Sequence, residues 1–304
     1  MLAMHMICYM PTLGLANAVA FRNIDDPEKK FPLIRVFGTL GWIAANILVS
    51  GILHADTSAT QFYIAGAVGI FLGFYSFILP KTPPLLSKDT LISFRDIIGL
   101  NALNKLKSKS FFVFAVSSFL ICIPLAAYYN FAPIFVSGMG IASPAFKMSF
   151  GQMSEVIFML ILPLLFARYG VKYILLGGML AWAVRYVLFA LSAPTGITSL
   201  VFLGIILHGI CYDLFFVAGQ IYVDKKSTAD IRSQAQGLFV LITYGLGMFI
   251  GAQVAGYIYN LLLKGQTALS VQSWQQFWLV FAVMTTVVIV YFFIGFKDKL
   301  NSKE

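Results

Sequence analysis

Nine runs of apolar residues decide what this 304-residue chain can become: 1–21, 34–53, 62–79, 111–136, 148–167, 172–191, 198–223, 234–262 and 274–296. A helix needs about 20 such residues to cross a hydrocarbon layer about 30 Å thick. A membrane barrel would instead show segments of about 10 residues with alternating polarity. These runs are continuous, so the expected fold is an all-α polytopic membrane protein. Only 11% of the residues are charged and 60% are hydrophobic, too few charges to cover the surface of a soluble protein of this size.

The net charge of +9 reports topology rather than nucleic-acid binding. Taking alternate ends of the nine runs, 18 of the 21 Lys and Arg residues fall on one side. Arg22, Lys29, Lys30 and Arg35 open that set, and Lys297, Lys299 and Lys303 close it. The other side receives only Lys147 and Lys264, and Arg185 lies within a run. Such a bias marks the cytoplasmic side, so the C-terminus is expected to be cytoplasmic. Cys8, Cys122 and Cys211 all lie in apolar runs and read as small buried hydrophobes, not as a disulfide framework. No signal peptide is expected, because the first apolar run starts at Met1 and the first basic residue is Arg22.

The longest connection divides the chain. Residues 1–80 are expected to form a partial N-terminal lobe of three transmembrane helices, 81–110 a central cytoplasmic loop, and 111–304 a C-terminal lobe of six. Within the loop, Phe94–Leu106 is expected to form a short surface helix. Lys29-Lys30 with Ile34-Arg35 is echoed by Lys225-Lys226 with Ile231-Arg232, each opening a span. If they correspond, the first span matches the seventh. The simplest account is a six-plus-six, twelve-span fold of the major facilitator type, N-terminally truncated by three spans.

Ionisable residues within spans are costly and are functional candidates. Here they are Glu155, Arg185, His208 and Asp213. Asp213 has no obvious partner and reads as a proton carrier. Glu155 reads either as a substrate or proton-coupling group or as one half of a structural ion pair with Arg185. Arg185 reads as structural and His208 as a packing residue, since five residues separate His208 from Asp213 and place them on different helix faces. Amides, hydroxyls and aromatics accompany them: Asn17, Thr39, Trp42, Tyr128, Tyr129, Asn130, Gln152, Tyr212 and Gln220. That set suits an uncharged, hydroxyl-rich ligand with a flat ring, or simply joins helices. Gly247-xxx-Gly251 and Gly256 permit close helix packing, and Pro11, Pro124, Pro133 and Pro163 are placed to kink helices. No His-Glu-x-x-His, Gly-x-Ser-x-Gly or Walker loop is present, so neither an enzyme nor an ATP-driven pump is expected.

Taken together, the motifs resemble a family. Tyr9-Met-Pro11-Thr-Leu-Gly14-Leu-x-Asn17 is similar to the fourth span of the nucleoside:proton symporters, the nucleoside permease group of the major facilitator superfamily. Phe31-Pro32-x-Ile34-Arg35-x-x-Gly38-Thr39-x-Gly41-Trp42 resembles the start of that family's fifth span. Gln152-x-x-Glu155 with Pro163 and Arg168-Tyr169-Gly170 resembles the eighth, and Trp182-x-x-Arg185 the ninth. Cys211-Tyr212-Asp213 resembles the tenth, and Arg232-x-x-Ala235-Gln236-Gly237 the eleventh. The resemblance covers essentially the whole chain, in order.

It implies proton-coupled uptake of nucleosides by alternating access across a bacterial inner membrane, by a monomer with no metal or cofactor and no nucleic-acid partner. It also implies that Arg35, Thr39, Trp42, Gln152, Glu155, Tyr212 and Asp213 line the central site. Tyr129 joins them as a candidate substrate contact, and Asp213 and Glu155 as the proton-coupling pair. The seventh span departs from the enteric members, reading Pro124-Leu-Ala-Ala-Tyr128-Tyr129-Asn130 where they carry an amide pair. Substrate contacts there are expected to differ. The rival expectations are a symporter for a sugar or other small solute, and a truncated membrane protein that does not transport.

Overall fold

The computed structural model describes residues 2–55, 58–83, 93, 99–141, 144–263 and 271–297, and within them every regular element is helical. We number the helices in chain order: α1 (Leu2–Arg22), α2 (Pro27–Asn46), α3 (Thr60–Tyr75) and α4 (Leu100–Lys105). Next come α5 (Lys109–Gly138), α6 (144–169) and α7 (171–195). The last three are α8 (Thr198–Lys226), α9 (Arg232–Leu263) and α10 (Val271–Gly295). Eight helices are long and apolar enough to cross a membrane. One of them, Pro144–Thr195, is broken at Gly170, whose φ of 70° and ψ of 168° no helix tolerates. Divided there into α6 and α7, the spans number nine among the described residues.

Local chemistry sets the boundaries. α2 begins seven residues before the expected apolar run. Asp26 caps it by accepting from the Lys29 amide, and Pro27 occupies the first turn, where its missing N–H costs nothing. α5 starts at Ser108, whose hydroxyl accepts from the Phe111 amide at 3.0 Å. The expected surface helix is confined to α4 among the described residues, and positions 94–98 lie outside them.

The core lies among α5, α7 and α10. Trp278 stacks on Tyr186 at 5.9 Å between centroids and meets Phe189 and Phe135 edge-on at 5.0 and 5.5 Å. Such offset and edge-on pairs add to area burial. Tyr186 closes the layer by donating to the Pro124 carbonyl at 2.7 Å, a group near the proline break in α5's bonding ladder. Gly247 and Gly251 of α9 press directly on α5, where a β-carbon would come within 2.8 Å of Cys122. Gly256 faces open space and takes no part in that seam. α3 is different: none of its candidate span is buried, against 67% for α5.

Three segments widen into π-turns: Ile47–Ile52 after α2, Asp213–Val217 inside α8 and Leu241–Gly247 inside α9. Bulges of this kind recur at functional sites.

Candidate functional site

The polar groups of α2, α6, α8 and α9 converge at one level. Thr39 of α2 donates to Oε1 of Glu155 on α6 at 2.5 Å. Arg35, one turn earlier on α2, donates from Nη2 to the Tyr212 hydroxyl on α8 at 3.0 Å. Its guanidinium carbon sits 5.6 Å from the centre of that ring. The Tyr244 hydroxyl of α9 donates to the same Tyr212 oxygen at 2.8 Å. The chain makes room for this: a β-carbon at Gly38 would lie 2.4 Å from Arg35 Nη1, so glycine leaves the space in which the guanidinium folds back along its own helix.

Asp213 opens the α8 π-turn and is fully buried. No donor among the described residues reaches either of its carboxyl oxygens. A buried carboxyl without a hydrogen-bond donor inside a membrane is costly, which makes Asp213 a candidate for function. His208, 2% exposed, brings Nε2 to 3.8 Å from Glu155 Oε2. It stacks between aromatic neighbours, Tyr128 at 5.6 Å and Tyr212 at 5.8 Å, with Tyr129 edge-on at 6.3 Å.

Most of the residues expected at the site are therefore brought together: Arg35 with Tyr212 and Thr39 with Glu155 by direct hydrogen bonds, and Tyr129 through its ring contact with His208. Trp42 is not. It is 57% exposed, although it stands one turn past Thr39 on α2. The expected Glu155–Arg185 ion pair is also corrected. Arg185 is fully buried but donates from Nε to the Gly204 carbonyl at 2.9 Å and lies over Tyr128 at 4.2 Å. Similar depth on neighbouring helices did not mean facing directions. Asn130 bonds its own helix at the Ala126 carbonyl, and Gln236 reaches the Gln220 carbonyl, so these amides join backbone rather than line a cavity.

Two residues escaped the sequence reading. Tyr244 looked like one aromatic among many, and only the α9 π-turn brings its hydroxyl to Tyr212. His208 was measured against Asp213 on its own helix, whereas its partner is Glu155 on another. At the basic end of the bundle, the charges pair instead. Arg232 Nε lies 2.8 Å from Asp224 Oδ1, off the line of a straight hydrogen bond, and Arg232 also reaches the Phe21 carbonyl of α1. Lys225 bonds Glu28 at the start of α2, and Lys105 of α4 bonds Asp230.

Comparison with known proteins follows the same lines. Residues 1–301 match the family described as nucleoside H+ symporter. The chain is 39% identical to the putative nucleoside transporter YegT of Escherichia coli (strain K12), covering 99% of this chain and 73% of that protein. It is 33% identical to the xanthosine permease of the same organism, covering 96% of this chain and 72% of that protein. Among solved structures, a mutant form of the nucleoside transporter NupG superposes with a TM-score of 0.72 at 30% identity, over 95% of this chain and 74% of that one.

Proposed function

This chain belongs to the nucleoside H+ symporter family, and from that premise we propose how its own residues divide the work of proton-coupled nucleoside uptake. Arg35, Thr39, Gln152, Tyr129, Tyr212 and Glu155 form the nucleoside site, with Tyr244 bracing Tyr212. Asp213, with Glu155, exchanges the proton. The single observation that carries this division is the contrast in partners: Glu155 is held by Thr39 across helices, while buried Asp213 accepts no hydrogen bond from any described residue.

Alternating access follows from where those bonds run. Thr39 and Arg35 sit on α2, and their partners sit on α6 and α8. A ligand that takes over these bonds loosens α2 from α6 and α8, so binding and rocking are coupled. The π-turn at Asp213 gives α8 a local irregularity beside the proton carrier. The membrane potential supplies about 2.3 kcal/mol per 100 mV for each charge moved inward.

The charge bias supports an orientation with the basic end and the C-terminus in the cytoplasm, in a bacterial inner membrane. Residues 1–80 and 111–304 then form the two moving lobes, joined by 81–110, in a protein that works as a monomer.

The test is labelled-uridine uptake in cells lacking their own nucleoside transport, compared near pH 6 and near pH 8. Acid-stimulated uptake, competed by adenosine but not by free sugars, is expected. Uptake competed by sugars would reassign the substrate. If Asp213→Asn kept concentrative, pH-dependent uptake, the proton role would pass from that residue.

A further inference from the structure

The Glu155 carboxyl has two partners on two different helices. Oε1 accepts from Thr39 on α2, and Oε2 faces His208 Nε2 on α8 at 3.8 Å. The second distance exceeds a hydrogen bond of about 2.7–3.2 Å, yet a small side-chain rotation closes it. The backbone around the pair is built for close approach. A β-carbon at Gly151 of α6 would lie 2.9 Å from His208 Cβ, and one at Gly209 of α8 would lie 2.5 Å from the Glu155 amide nitrogen. Each helix thus presents glycine to the other at the level of the pair. Ser154 locks the crossing, donating to the Ile206 carbonyl at 2.6 Å and accepting from the Gly209 amide at 3.0 Å. This crossing holds Glu155 and His208 at one distance, while the Thr39 contact depends on where α2 stands.

We propose that His208 is the proton-sharing partner of Glu155, taking over its carboxyl when Thr39 draws away and so setting the pH range of transport. The step balances within the pair. A proton passes from Glu155 Oε2 to His208 Nε2, leaving a carboxylate facing an imidazolium, and the reverse transfer restores the neutral pair. His208 Nδ1 has no partner among the described residues, so its ring is not committed to one tautomer by a second bond.

The surroundings are mixed. From α2, Arg35 and Thr39 act through Tyr212 and Glu155. From α5, Tyr128 and Tyr129 pack on the imidazole, and Arg185 of α7 lies over Tyr128. On α8 itself are Cys211, Tyr212 and Asp213, with Tyr244 of α9 behind Tyr212. The transfer keeps one proton within the pair, so His208 carries it only while Glu155 is ionised.

The proposal rests on the assignment of Glu155 to the coupling site, and the experiment separates the two. KM and Vmax for labelled-uridine uptake are measured across pH for the wild type, His208→Gln, Glu155→Gln and the double variant, with membrane abundance quantified. His208→Asn replaces His208→Gln if the latter fails to reach the membrane. His208→Gln is expected to move the midpoint of the KM profile by about one pH unit, with Vmax near pH 6 kept within about threefold. The double variant is expected to match Glu155→Gln alone, as members of one unit do. A moved midpoint in Glu155→Gln but not in His208→Gln overturns the role of His208 and leaves Glu155 in place. Unmoved midpoints in both overturn both assignments. A uniform drop of Vmax at every pH, with the midpoint fixed, makes His208 a packing residue and overturns the proposal.

Discussion

Charges at the centre of the bundle and charges at its basic end are organised in opposite ways. At the centre, Asp213 is buried with no hydrogen-bond donor among the described residues, and Glu155 has a hydroxyl on one oxygen and a histidine just out of reach on the other. At the basic end, Asp224, Glu28 and Asp230 each face a cation: Arg232, Lys225 and Lys105. The difference teaches what each layer is for. Paired charges fix geometry, and removing one partner leaves the other exposed to a penalty. Acids in an apolar layer without a direct ion pair are placed to respond to a proton or a ligand.

The largest effect expected from breaking this contrast is at Asp213. For one charge moved per cycle at 100 mV, accumulation is bounded at about 50-fold, the ratio that about 2.3 kcal/mol sustains. Asp213→Asn is expected to reduce that ratio to unity while exchange of labelled for unlabelled uridine continues, which counterflow in loaded vesicles measures. Glu155→Gln comes next. A hydrogen bond to a charged group is worth about 1.5–3 kcal/mol, so losing the charged acceptor offered to the ligand raises KM for uridine about tenfold or more. A KM within about twofold of wild type would remove Glu155 from the ligand site.

How far these residues could be read from sequence depended on whether the signal was periodic or directional. The nine spans and the long connection follow from apolar runs and from the side taken by each Lys and Arg, and neither needs a contact map. Thr39, Glu155, Tyr212 and Asp213 stood out as polar groups within spans, and Arg35 through the motif it shares with the family. What failed was direction. Arg185 and Glu155 both lie within spans, but the Arg185 side chain turns to the Gly204 carbonyl instead. The π-turns at Asp213–Val217 and Leu241–Gly247 each shift a helix face by a fraction of a turn, and no residue pattern announces them. That shift brings Tyr244 to Tyr212. Gly151 and Gly209 carry no sequence motif, and only the crossing of α6 and α8 shows that they frame His208 and Glu155.

At the basic end the effects are smaller and fall on stability. Arg232→Ala leaves Asp224, whose side chain is 2% exposed, beside no cation from α9 and frees the Phe21 carbonyl. An unsatisfied buried group costs about 1–3 kcal/mol, so thermal unfolding in detergent shifts down, and Asp224→Asn in the same background recovers part of the loss. Accumulation of uridine at saturating substrate is expected to survive in the folded fraction, unlike in Asp213→Asn.

The smallest effect sharpens the comparison most. Lys105 and Asp230 are both about half exposed, and such pairs contribute little. The hydrogen bond from Lys105 holds the Asp230 carboxyl down to about 2, against an ordinary value of 3.8. A depressed carboxyl stabilises the fold above its unfolded value and loses that contribution only as pH falls through the folded one. Whatever Lys105 and Asp230 contribute is therefore complete above about pH 4, constant through the range in which uptake responds to acid, and weakened by salt. Lys105→Ala and Asp230→Asn are expected to leave the pH profile of uridine uptake superimposable on wild type, at both low and high ionic strength. A shifted profile in either variant would mean that the loops, and not only the buried acids, read the proton. The division of labour between the two layers would then fail.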